Sequence, residues 1–306
     1  MYGIGVTALN TPLEVLELPS PREPQEGELL LDVIAGGVGA WDLLLPDGTW
    51  EVDFQPPAAI GVEGAGRVTA MGPGVTGFAV GDVVAAHEAP LLNGSGLWAQ
   101  QALVKAAHAA RLPQGMAPHI AAGLPVGGLT AVQSVDALHV GEGARLLVVG
   151  ASGPTAALAV QLAHLRGAYV VAGAGLHHTA HLRGWGADEV VDTHEPDWAQ
   201  RIDGQFDAVL IAATGTADQA LTLLKDGGRL VSITSDAPEP VRGITSVDLY
   251  VEADGTALAG LLDLVATGEL VYEVTTTPAK DGISIVEQVA AGRSGGAKHV
   301  LSFEAS

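Results

Sequence analysis

The chain contains no cysteine, which excludes disulfides, thiol nucleophiles and every cysteine-ligated zinc site. Positive charge is scarce as well: 14 Lys and Arg stand against 35 Asp and Glu in 306 residues, a formal net charge of -21. A surface that acidic repels nucleic acid and anionic membranes, so neither is an expected partner. The opening segment MYGIGVTALNTPLEVLELP lacks the basic stretch and apolar core of a secretory signal, and a cytoplasmic location is the expectation. Residues 146–165 carry no charge and have the length of a membrane span. Gly150-Ala151-Ser152-Gly153-Pro154 interrupts that stretch, however, and would leave backbone polar groups unpaired in lipid, so no span is expected.

What is present points to a compact α/β protein. The hydrophobic fraction is 48% and there are 41 glycines, and the length suffices for two domains, each with a core. Leu146 to Val149 has the apolar, β-rich composition of a strand buried on both faces. Gly150 ends it, a small-residue loop follows, and Pro154 opens a helix at the position where a missing N–H costs nothing. That helix is predicted to run to Arg166, with Leu158, Leu162 and Leu165 on one face and Gly167 as its stop. Such a turn admits a pyrophosphate to backbone N–H groups and to the positive end of the helix. Gly150, Ala151, Ser152, Gly153, Pro154 and Thr155 are therefore candidate cofactor-binding residues.

A lone glycine-rich turn is weak support for a nucleotide site, and its surroundings decide. Strands are expected at Tyr169–Ala174, Glu189–Asp192, Phe206–Ala213, Arg229–Thr234 and Ile244–Leu249, and helices at His178–Gly184, Pro196–Ile202 and Ala217–Lys225. This alternation describes a doubly wound parallel sheet. Residues 1–112 are instead strand-rich, with period-2 patches at Glu28–Ile34 and Glu63–Ala70, and suggest a barrel-like β domain. Residues 112–135 read as a loop and two short helices. Beyond the sheet, Ala257–Ala266 and Gly282–Ala291 read as helices, and Val271–Thr276 and His299–Phe303 as strands.

Cofactor choice is written at the end of the second strand, where an Asp or Glu would bond the ribose hydroxyls of NAD. Between Ala168 and Ala187 there is no acid; Ala174 and Gly175 are followed by His177, His178 and Arg183, which suit a 2′-phosphate. NADPH is the expected cofactor, with Ala213 at the end of a later strand joining the candidate set. The bland alternative is that these basic residues solvate a helix end. His177 and His181 have the spacing of a helical metal pair, but no third ligand lies near, and no metal is expected. Trp41, Trp50 and Trp98 could line a slot for a planar substrate, although buried tryptophans are more often core fillers. Asp42 suits a helix cap, and Glu63 a buried structural acid.

Several stretches together resemble the medium-chain dehydrogenase/reductase superfamily, in its zinc-free quinone oxidoreductase and enoyl reductase branch. They are GVEGAGRVTAMGPGVTGFAVGDVV at 61–84, GLPVGGLTAVQ at 123–133, GADEVVD at 186–192 and LKDGGRL at 224–230. The resemblance implies a Rossmann domain inserted into a GroES-like barrel, with a catalytic domain at 1–112 and 247–306 and a cofactor domain at 113–246. It further implies an NADPH-dependent hydride-transferring enzyme, commonly a homodimer, and sets Thr130 against the nicotinamide; the plainer role for Thr130 is a helix-stabilising hydroxyl.

Departures from the family pattern are equally specific. Gly39 and Val62 stand where zinc-dependent members carry Cys and His, and Gly39 and Trp50 where the zinc-free branch often has Asn and Tyr. Ala156 replaces the last glycine of the nucleotide turn, which affects only close helix–strand packing. No polar catalytic side chain is identifiable. Hydride transfer to an activated C=C or quinone requires correct positioning and donors at the carbonyl oxygen. Backbone N–H groups and a water-derived proton meet the remaining need. The leading expectation is a reductase of an apolar enone or quinone. A zinc-independent alcohol dehydrogenase-like enzyme and a catalytically silent NADPH-binding sensor or structural protein remain alternatives.

Overall fold

The computed structural model describes residues 1–293 and 296–304. Eight strands come first: β1 (Tyr2–Val6), β2 (Glu14–Glu17), β3 (Glu28–Val38), β4 (Ala58–Ala59), β5 (Glu63–Met71), β6 (Val83–His87), β7 (Gln101–Lys105) and β8 (Ala109–Arg111). Helices α1 (Pro118–Ala122) and α2 (Pro125–Ala137) lead to β9 (Arg145–Val149), α3 (Pro154–Leu165) and β10 (Tyr169–Gly173). The alternation continues through α4 (Thr179–Gly184), β11 (Glu189–Val191), β12 (Phe206–Ile211), α5 (Ala217–Leu221), β13 (Leu224–Ser232) and β14 (Thr245–Asp248). Last come α6 (Gly255–Thr267), β15 (Val274–Pro278), α7 (Ile283–Ala290) and β16 (Lys298–Ser302).

The chain divides into two compact units, Thr130–Glu252 and a unit made of Met1–Leu129 with Ala253–Ser306. Residues 113–129, grouped by the sequence reading with the cofactor domain, lie in the other unit, because α1 packs on β3, β5 and β6. In that unit a three-stranded sheet has the order β2-β1-β4, and a larger one the order β15-β16-β3-β5-β6-β8 with β7 paired to β3. The second unit holds a six-stranded parallel sheet, β11-β10-β9-β12-β13-β14, the doubly wound order expected from the sequence. Among the described residues no helix is long and apolar enough to cross a membrane.

Local packing accounts for the differences from the sequence reading. Helix α3 is buried from Ala156 to Ala163, since its small side chains let it sit close on the sheet, and Leu165 is left 47% exposed instead of facing the core. The helix expected at Pro196–Ile202 is a single 3-10 turn, Trp198–Arg201, held by a buried Trp198 in the cluster with Phe206 and Leu224. Helix α5 stops at Leu221 because Leu224 already pairs with Phe206 in the sheet. Strand β15 begins at Val274 rather than Val271, in register with Lys298, and α2 is a full 13 residues long.

Trp98 corrects the substrate-slot reading. It is 0% exposed, its Nε1 donates to the Gly37 carbonyl at 2.8 Å, and its ring fills the space left by the missing side chain of Gly61. With no accessible surface it cannot touch a substrate, and it belongs to the core. Trp98→Ala is expected to cost about 3 to 5 kcal/mol of unfolding free energy, and urea denaturation checks it; a loss below about 1 kcal/mol would contradict the core assignment.

Candidate functional site

The nucleotide turn stands where the sheet order reverses, between β9 and β12, the position at which open α/β sheets bind ligands. Gly150 has φ +83°, and a Cβ there would lie 2.8 Å from the Ala212 carbonyl group, so only glycine lets the two strand ends come this close. The Gly150 and Ala151 N–H groups both donate to the Gly173 carbonyl, at 2.9 and 3.0 Å. Ala151 is 0% exposed, which limits it to shaping the turn. Ser152, Gly153, Pro154 and Thr155 are half-buried. The N-cap of α3 is Gly153, which has no capping side chain, so the first-turn N–H groups of Thr155 and Ala156 lack intrahelical partners and an anion can take them. Ala213 is half-buried beside Gly150.

A polar network missed by the sequence reading ties the neighbouring strand ends together. Asp236 Oδ1 accepts from the Ser232 and Thr234 hydroxyls at 2.8 and 2.7 Å, and Oδ2 from the Gly215 N–H at 2.7 Å. This carboxylate fixes the loop after β12 against the loop after β13. Desolvation raises its pKa, but the hydrogen bonds outweigh it and hold the carboxyl below its ordinary value. Ser232, Thr234 and Asp236 are near neighbours in sequence, whereas Gly215 is 21 residues from Asp236, and that distant contact is what no local motif discloses.

At the end of β10, Ala174 is 3% exposed and its N–H is spent on the Val191 carbonyl at 3.0 Å, so it contributes smallness and backbone shape. Gly175 runs between two imidazoles: a Cβ there would lie 2.8 Å from His177 Cε1 and 3.0 Å from His194 Cε1. The rings of His177 and His178 have centroids 4.0 Å apart. Arg183 is exposed on α4, and no hydrogen bond or ion pair joins it to these histidines. One acid does approach, from the neighbouring strand: Asp192 Oδ1 accepts from the His194 backbone N–H at 3.0 Å and lies 3.1 Å from His194 Nδ1. Among the described residues no group of three or more His, Cys, Asp or Glu is arranged to hold a metal ion. Thr130 is 9% exposed, within α2.

In the first unit, the positions that depart from the family pattern adjoin a buried charged cluster. A Cβ on Gly39 would lie 2.1 Å from Trp41 Cε2, so the half-buried Trp41 indole occupies the space of a side chain at position 39. Lys298 Nζ sits 5.0 Å over that ring and bonds Glu63 Oε1 and the Val38 carbonyl. Glu63 Oε2 accepts from the Val126 N–H at 2.8 Å. Asp42 caps from inside its 3-10 turn rather than from its start, accepting from the Gly39 N–H at 2.8 Å and the Val62 N–H at 3.3 Å. Burial pushes its carboxyl up to about 8, assisted by the charge of Glu63 and opposed by the Gly39 N–H and by Lys298. Trp50 is half-buried in the loop after this turn, its N–H on the Leu44 carbonyl at 3.0 Å.

With this geometry in view, comparison with known proteins is decisive. Residues 25–114 match the family "Alcohol dehydrogenase GroES-like domain" and residues 154–253 the family "Zinc-binding dehydrogenase". A chloroplast envelope quinone oxidoreductase homolog of Arabidopsis thaliana is 32% identical over 246 residues, 76% of this chain and 72% of that protein. The chain belongs to the medium-chain dehydrogenase/reductase superfamily. Its two matched segments are the family's GroES-like domain and its Rossmann domain. The pikromycin polyketide synthase component PikAII of Streptomyces venezuelae is 33% identical over 286 residues, 85% of this chain but 7% of that protein. Solved structures include a mycobacterial protein complexed with NADPH (TM-score 0.83, 26% identity, 99% and 100% coverage). An NAD-dependent alcohol dehydrogenase is also similar (TM-score 0.87, 26% identity, 99% and 100% coverage).

Asp42 gives this site a pH signature. Its pKa lies above the ordinary 3.8, so between about pH 4 and pH 8 the folded chain holds a proton that the unfolded chain releases, and stability falls as pH rises through that window. Asp42→Asn is expected to remove this contribution, on the order of a few kcal/mol across the window. Urea denaturation at both ends of the window measures it, and an unchanged pH slope in the variant would refute the neutral, buried Asp42.

Proposed function

We propose that the protein is an NADPH-dependent reductase acting on a conjugated carbonyl, an enone or enoyl group, or on a quinone. The observation that carries the cofactor reading is the end of β10, where His177, His178 and His194 gather around Gly175 and the one adjoining carboxylate, Asp192, is engaged by His194. A free carboxylate there would favour the ribose hydroxyls of NAD and repel a 2′-phosphate. The NADPH-bound mycobacterial relative supports the same reading. For the acceptor, support comes from the quinone oxidoreductase homolog and from the polyketide synthase component.

The bound dinucleotide supplies a hydride. The chain supplies the rest. The first-turn N–H groups of Thr155 and Ala156 would hold the pyrophosphate, Gly150 lets the ends of β9 and β12 come together beneath it, and Asp236 holds the loops after β12 and β13 in one arrangement. Trp41 and Trp50 give the acceptor flat apolar surface, while Trp98 is withdrawn from that role. With no acid–base side chain required, solvent delivers the proton. An alcohol dehydrogenase using zinc is disfavoured by the donor set itself, because position 39 is filled by the Trp41 ring and Val62 offers no ligand atom. The same family resemblance supports a homodimer.

Fluorescence of bound NADPH, followed by its decay on addition of an enone or a quinone, tests the proposal. Decay with either acceptor is expected; tight NADPH binding with no decay on any acceptor would instead favour a silent sensor. Trp50→Ala is expected to weaken aromatic acceptors by on the order of 1 kcal/mol while leaving NADPH affinity and melting temperature nearly unchanged. A large stability loss with all activities falling together would make Trp50 a core residue.

A further inference from the structure

Four of the ten histidines, at 177, 178, 181 and 194, converge on the end of β10 in a chain of net charge -21. Such a concentration on one small surface has no structural duty visible in its contacts. His177 and His178 lie with centroids 4.0 Å apart and their rings tilted by 43°, His181 stacks on Trp185 at 5.8 Å, and His194 approaches Gly175 from the end of β11. We propose that His177, His178 and His194 form a protonatable cradle for the 2′-phosphate, which makes the preference for the phosphorylated cofactor grow as pH falls. The proposal rests on the NADPH reading above and deepens it by naming His194, a residue from a different strand, and the proton as the selecting elements.

The electrostatics favour this arrangement from each element around it. His178 has its pKa held below the ordinary 6.5 by burial first and then by His177, His181 and His194. His178 therefore resists charging in the free chain. A phosphate dianion placed against the three rings favours the charged imidazole, so binding takes up protons. From the β11 side the facing acid is Asp192, whose carboxyl is held down first by the His194 backbone N–H, then by the His194 ring and by the charges of His194 and Arg201. Arg201 is itself paired with Asp197 at 2.7 Å and Glu195 at 3.9 Å. Asp192 engages His194 Nδ1 and leaves Nε2 for another partner, on a side chain that is 72% exposed. Arg183 on α4 carries a constant charge and adds affinity without pH dependence.

The sign is fixed by these shifts. Affinity for NADPH rises as pH falls through the pKa of the bound cluster and levels off below that of the free cluster, while NADH, lacking the phosphate, gives the reference. Dissociation constants for both cofactors are measured by fluorescence between about pH 8 and about pH 6.5, a range in which the 2′-phosphate keeps most of its second charge. Proton uptake is read by calorimetry in two buffers of different ionisation enthalpy. The NADPH-to-NADH affinity ratio is expected to rise about tenfold over this range, with about one proton taken up per NADPH and none per NADH. The variant His177→Gln/His178→Gln/His194→Gln is expected to flatten the ratio, and His194→Lys to keep the preference with a shallower pH slope. A preference for NADPH that is independent of pH, or unchanged in the triple variant, overturns the histidine cradle and leaves the cofactor reading standing. Equal or tighter binding of NADH at every pH overturns both.

Discussion

The buried ion pair between Lys298 and Glu63 joins the two ends of the chain within the first unit. Both side chains are out of water, at 4% and 0% exposure, and two such charges are tolerated only when further hydrogen bonds complete their coordination. Here they do: Glu63 takes the N–H at the start of α2, and Lys298 takes the last carbonyl of β3. Strands β16, β5 and β3 and the chain at Val126 are thereby fixed to one another within that unit. Tyr272, from the same returning segment, adds its hydroxyl to the Gly123 carbonyl at 2.6 Å. Burial, with the charge of Glu63 added to it and Lys298 opposing, keeps the Asp42 carboxyl well above the ordinary carboxylate range.

Much of the second unit was legible in the sequence. Strands β9, β10 and β12 are short apolar runs, Gly150 ends β9, α3 begins at Pro154, and the strand–helix alternation admits essentially one topology. The nucleotide turn follows from the same local rules. Gly150 had to be glycine, and the reason, contact with the backbone at Ala212, is long-range but leaves its mark on a single residue.

What the sequence did not disclose depends on contacts between distant segments. Lys298 is an isolated basic residue near the chain end, and nothing nearby marks it as the partner of Glu63. Asp236, in the loop after β13, bonds Ser232 at the end of that strand and reaches across to Gly215 in the loop after β12. His194 lies well beyond the acid-free stretch that follows β10 in sequence, and only parallel pairing carries the end of β11 back beside β10. Trp98 could not be told from Trp41 or Trp50 by composition, because burial is decided by which glycines its ring covers. Helix lengths failed where the next strand claims residues early, as Leu224 does after α5.

The Trp41 ring standing over Gly39 couples two positions that the sequence presents as independent. With 2.1 Å between the ring and the point where any Cβ at 39 would stand, a side chain at 39 and the indole in its present pose exclude each other. A ligand-bearing residue introduced at 39 alone would therefore meet the indole before it met a metal or a substrate, and reshaping this end of the site requires both positions to change together.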